Sequence, residues 1–73
     1  MAMAPPDTCV MEIGKTAGLI WNTLNKSGPM SPAKLTKHLE RPRDLVMQAL
    51  GWLAREEKID IKEEGRSRVV SLR

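Results

Sequence analysis

Few residues in this sequence have the chemistry of an acid, base, nucleophile or metal ligand, and their spacing argues against catalysis. His38 is the sole histidine and Cys9 the sole cysteine. One cysteine forms no internal disulfide and no cysteine zinc site. The pairs Glu56-Glu57 and Glu63-Glu64 are neighbours in sequence, not carboxylates opposed across a cleft. The run Gly14-Lys15-Thr16 invites a phosphate-loop reading, but such a loop needs a further glycine where Cys9 stands. These residues predict a protein that is not an enzyme, with no catalytic or metal site, no cofactor and no evident small-molecule substrate. What remains is cationic chemistry. Twelve Lys and Arg stand against nine Asp and Glu, for a net charge of +3 over 73 residues. Guanidinium and ammonium groups bind phosphate, and Arg and Gln can pair in bidentate fashion with base edges.

The chain is long enough for one domain with a thin core. Single-stranded nucleic acid is an unsuitable ligand, because base stacking needs several exposed aromatics and the chain has two Trp with no Phe or Tyr. The N-terminus lacks the pattern of a secretion signal, and no apolar stretch approaches the roughly 20 residues that span a bilayer. With the lone cysteine, these features predict a reducing, cytoplasmic setting and no membrane partner.

The elements that position the cations follow from periodicity. Residues 1–10 hold two prolines and little periodicity, which predicts a mobile tail, with the domain spanning 11–73. Met11 would also serve as an alternative start. Ile13, Ala17, Ile20, Trp21 and Leu24 recur at helical spacing. Gly14 and Gly18 lie on one side of this first helix, and each costs roughly 1 kcal/mol against alanine there. That cost predicts another element packed close against the backbone. "NKSGP" closes the helix, and Met30 reads as a very short strand. Ser31 and Pro32 have the N-cap and first-turn chemistry that opens a second helix with Leu35 and Leu39 on its apolar stripe. Pro42 is expected to open a third helix, whose Leu45, Val46, Ala49, Leu50 and Leu53 make a broad apolar face.

Beyond Glu57 the period changes to two. Ile59 and Ile61 alternate with Asp60 and Lys62, a turn falls at Glu64-Gly65, and "SRVVSL" returns as the partner strand. Pairing Glu63 with Arg66 sets Ile61 opposite Arg68 and Ile59 opposite Val70. Ile59, Ile61, Val70 and Leu72 then face the helices. The fold class is therefore α+β: three helices, a short strand after the first, and a C-terminal two-stranded β-hairpin wing, with a helix-turn-helix at the centre.

Two separated stretches, "IGKTAGLIW" from Ile13 and "ALGWLAREEKI" from Ala49, resemble a family of small prokaryotic winged helix-turn-helix domains of unknown function. The resemblance covers Met11 to Arg73. It implies the fold and, by analogy of fold, a DNA-binding role. Two positions depart from the expected pattern. Arg41 stands where a small polar N-cap is expected before the third helix. Glu57 stands where a glycine commonly follows it, so Glu57 is expected in a strained backbone conformation.

The outward face of the third helix presents Arg43, Asp44, Met47, Gln48, Gly51 and Arg55. Only Gln48 lies mid-face with the ability to read a base. Arg43 and Arg55 are offset by Asp44 and Glu56, so residues 42–56 carry no net charge. An ordinary solvated face accounts for this helix equally well. Positive charge lies elsewhere. Lys34 and Lys37 are on the second helix, Arg41 and Arg43 flank the start of the third, and Arg66 and Arg68 are in the wing. With Gln48 and Arg55 these residues could form a frame that holds duplex DNA mainly through phosphates, in a regulatory context. The alternative for the cations is simple solubility. Trp52 is expected at the core edge, beneath the wing. Its other placement is an exposed patch with Trp21 or Met47, which would mark a protein-interaction surface. The second functional reading is therefore a protein-protein interaction or homodimerisation module, with a symmetric homodimer as the simplest partner.

Overall fold

The computed structural model describes residues 8–73. The predicted tail therefore lies largely outside the described residues, but Thr8, Cys9 and Val10 are helical. Helix α1 runs Thr8–Ser27, α2 Pro32–Leu39 and α3 Arg43–Arg55, followed by strands β1 Ile59–Glu64 and β2 Ser67–Leu72. This is the expected order, a helix-turn-helix followed by a wing. Helix α1 begins five residues before Ile13, where the apolar period starts. Cys9 to Glu12 add helical length without adding to the buried stripe.

Local chemistry explains each boundary. Helix α1 stops at Gly28, which takes φ +85° and donates its N–H to the Leu24 carbonyl at 2.9 Å. Pro29 has no N–H with which to continue the helix. Ser31 caps α2 as its side chain accepts the Lys34 N–H at 3.1 Å, and Pro32 occupies the first turn. Helix α2 ends on Glu40 with φ +53°, its N–H bonded to Thr36 O. Pro42 is the N-cap of α3, not its first residue, and has no side chain to offer the free N–H groups. Asp44 compensates: its carboxylate accepts the Leu45 N–H at 2.9 Å.

The C-terminus of α3 is a Schellman motif. Lys58 N–H reaches back to Leu53 O and Glu57 N–H to Ala54 O, both at 3.0 Å. The geometry requires a left-handed residue at position 57, and Glu57 takes φ +60° there. The strain expected at this position is present.

The core lies where the three helices meet the inner face of the wing. Ala17, Ile20 and Leu24 of α1, Leu35 of α2 and Val46, Ala49, Leu50 and Leu53 of α3 are buried with Met30, Ile59 and Val70. Thr16 is also fully buried, and its hydroxyl has no hydrogen-bond partner. Leu45 is only half-buried, so the apolar face of α3 is narrower than its composition suggests.

The hairpin register differs from the expected one by two residues. Glu64 pairs with Ser67, Ile61 with Val70 and Ile59 with Leu72. The turn is Gly65-Arg66, with Gly65 at φ +64° in the first central position, as a type II′ turn prefers. A shift of two preserves which side chains share a face. Ile59 and Val70 are accordingly buried and Leu72 partly so, but Ile61, nearer the wing turn, is 41% exposed. Met30 forms the expected short strand as an isolated bridge to Val70. Its N–H donates to Val70 O at 3.0 Å and its carbonyl accepts Val70 N–H at 2.7 Å.

Two helices thus end on a left-handed glutamate, where glycine has no Cβ penalty. Glu40→Gly is expected to raise the unfolding free energy by about 0.5–1 kcal/mol, and Glu57→Gly by less because it also loses an exposed ion pair with Arg73. Thermal denaturation followed by circular dichroism measures both. A fall in midpoint for Glu40→Gly would contradict the left-handed cap.

Candidate nucleic-acid interface

Arg43 sits at the first position of α3, Arg66 in the wing turn and Arg68 at the start of β2. All three line one open cleft of about 470 Å³, together with Ser31, Pro32 and Ala33 at the start of α2 and Met47 of α3. The Met30–Val70 bridge makes this possible. It ties β2 to the residue just before the N-cap of α2, so the wing returns alongside the helix-turn-helix. Arg68 has a loose contact with Glu63, at 3.8 Å and largely solvated. Such a pair contributes little and yields easily to a phosphate. Arg43 and Arg66 have no ion pair among the described residues.

Lys34 and Lys37 continue the same surface. With Ala33, which also borders the arginine cleft, and Thr36, they line an adjoining shallow depression of about 560 Å³. Both lysines are exposed. Five cations from α2, α3 and the wing thus lie along one side of the domain. The pattern that links them is not visible in sequence order, because the wing residues join the helix residues only through the fold.

Three other expected site residues lie differently. Arg41 points to α1, where its Nη1 contacts Glu12 Oε1 at 3.3 Å, with both side chains partly covered. It fastens the α2–α3 turn to α1 and does not line the arginine cleft. Gln48 and Arg55 are exposed on α3 and line neither the cleft nor the lysine depression. Asp44, exposed in the first turn of α3, already occupies the Leu45 N–H. The helix start is therefore less free to bind an anion than its sequence suggests.

The expected aromatic patch divides. Trp52 is 52% exposed and Trp21 39% exposed, so Trp52 is not the core-edge residue beneath the wing that was expected. The two tryptophans line a separate groove of about 620 Å³, together with Gly14, Ala17 and Gly18 of α1 and with Glu57, Lys58 and Arg73. Met47 is not among them; it is half-buried against the core and borders the arginine cleft. The close approach expected at Gly14 and Gly18 is also absent. A Cβ at either position would meet no other element within 4 Å. The glycines keep the groove floor low.

Residues 9–72 match the family described as "Winged helix-turn-helix domain (DUF2582)". The chain belongs to this family. The match spans all five elements, so the winged helix-turn-helix fold holds from α1 to the end of the wing. Among similar proteins is the uncharacterised protein MJ1608 of Methanocaldococcus jannaschii, 35% identical over 65 residues, covering 85% of this chain and 91% of that one. Among solved structures, HlyU from Vibrio cholerae N16961 superposes with a TM-score of 0.63 at 18% identity, over 96% of this chain and 80% of that one. At that identity the likeness is one of fold. No helix among the described residues of this winged-helix domain is long and apolar enough to cross a membrane.

The placement of Arg41 yields a test. A partly solvated ion pair contributes at most about 1 kcal/mol. Arg41→Ala is therefore expected to lower stability by less than that in urea denaturation. A loss of several kcal/mol would show that the pair carries structural weight beyond its electrostatics.

Proposed function

We propose that this winged-helix domain binds duplex DNA, chiefly through its phosphates, and acts in a regulatory context. The observation that carries this reading is the meeting of Arg43, Arg66 and Arg68 in one open cleft, with Lys34 and Lys37 alongside. Guanidinium groups suit phosphate oxygens, which they engage with two parallel hydrogen bonds. The cleft is open and lies between the helix-turn-helix and the wing, where a long polyanion can enter.

The chemistry favours affinity over sequence reading. Phosphate contacts orient a protein on DNA but carry no base information. Along α3 the residues able to read bases are sparse: Gln48 is mid-helix and exposed, while Gly51 has no side chain and Asp44 repels phosphate. Met47 borders the cleft and offers only apolar contact, suited to a thymine methyl. Binding of this kind tolerates many sequences and responds steeply to salt.

The test is a fluorescence-anisotropy titration of a generic labelled duplex at increasing salt. Log affinity should fall linearly with log salt, and Arg43→Ala and Arg66→Ala should each weaken binding while reducing the slope by about 1. Arg41→Ala, held away at Glu12, should leave the slope unchanged. No binding to any duplex at low salt would overturn the proposal, as would equal effects of all three substitutions.

A further inference from the structure

The domain holds a second surface that DNA binding does not use. Both aromatic residues of the entire sequence, Trp21 and Trp52, are exposed, and both line the same groove. Large apolar side chains gathered on a surface mark a contact site, and tryptophan is enriched where such contacts are strongest. The apolar surface continues toward the start of α1. Val10 and Met11 are exposed and fall at helical spacing from Gly14 and Gly18, on the outward side of the helix.

We propose that the occupant of this groove is a second copy of the chain, packed about a two-fold axis with the α1 helices antiparallel. A two-fold interface must be complementary to itself. This surface offers both halves of such a fit: indoles that project, and a floor at Gly14 and Gly18 with open space where side chains would be. Its rim also carries both signs of charge, Glu57 beside Lys58 and Arg73. Glu57 and Arg73 already pair at 3.1 Å within one chain, so the rim carries partly neutralised charge and repels a second copy less than three unneutralised arginines would. The arginine cleft has cations alone and repels a second copy. Size is adequate as well. Twenty residues make α1 roughly 30 Å long, and with the shoulder formed by Trp52 its outward face covers roughly 600 Å², at the lower end of what specific interfaces bury per partner.

The groove and the arginine cleft share no lining residue. Dimerisation leaves both clefts open, and the inference stands independently of what the clefts bind. Its consequence for a DNA-binding protein would be two phosphate-contacting faces fixed in one assembly.

Sedimentation velocity of the full chain, from micromolar to millimolar concentration, tests the proposal. The expected result is a reversible rise from the mass of one chain to that of two. Gly18→Gln is the informative variant. The position is helical and open, so the monomer accommodates the side chain and gains helix propensity, while the groove floor is blocked. This variant should keep the circular dichroism spectrum of the parent and remain monomeric. Trp52→Ala should weaken association, and Arg66→Ala should leave it intact. A strict monomer at all concentrations would overturn the proposal, and so would a dimer that persists in folded Gly18→Gln.

Discussion

The pair of hydrogen bonds between Met30 and Val70 holds the wing beside the helix-turn-helix. Both backbone groups of each residue are used, and both side chains are buried in the core. Remove this bridge and the hairpin is joined to the helices through the α3–β1 connection and the packing of Ile59, Val70 and Leu72. With it, β2 lies beside the N-cap of α2, and the two wing arginines come to the side of the domain that carries Arg43. The cationic cleft is thus a consequence of one short strand pairing. A two-stranded hairpin alone is marginal in water. Here its central position is anchored on the far side as well.

The core is economical. Four residues of α3 pack against three of α1, with single contributions from α2, β1 and β2 and from Met30 between α1 and α2. So small a core leaves little surplus, because domains of this length bury only about 60% of their unfolded surface. Against that background, the features that add no stability to the monomer stand out. Two tryptophans remain 39% and 52% exposed, two glycines weaken the middle of α1, and two glutamates occupy left-handed positions that glycine would fill without strain. The tryptophans and glycines lie together in the groove, so their cost is local to one surface. Glu57 belongs to that surface too, at its rim. The strain at Glu40 has no comparable partner.

Much of this was legible in the sequence, and the exceptions share a cause. Ser31-Pro32 and the Gly28-Pro29 stop have local chemistry that acts within a few residues, and they behave as their types require. Glu57 was legible for the same reason, because the end of α3 needs a left-handed residue there whatever follows. The wing faces were legible from alternation, but the register was not. Glu64-Gly65 and Gly65-Arg66 both make two-residue turns, and a slip of two leaves the faces unchanged. Trp52 failed for a different reason. It lies at the edge of the buried arc of α3, between Gln48 outside and Leu53 inside, where periodicity does not decide. Gly14 and Gly18 signalled a special surface, but not whether that surface is filled within the monomer. Arg41 and Arg43 looked equivalent in sequence, and only the packing of α1 separates them, by bringing Glu12 to one and not the other.

The central claim is that the cationic cleft between α3 and the wing is the surface that meets DNA. The most direct measurement is a two-dimensional amide NMR titration of the full chain with a generic duplex at low salt. Progressive shifts are expected at Ala33, Lys34, Arg43, Arg66 and Arg68, reversed by added salt, with the groove residues Gly14, Gly18 and the indole N–H groups of Trp21 and Trp52 unmoved. A spectrum unchanged at all DNA concentrations would contradict it. So would shifts confined to the tryptophan groove.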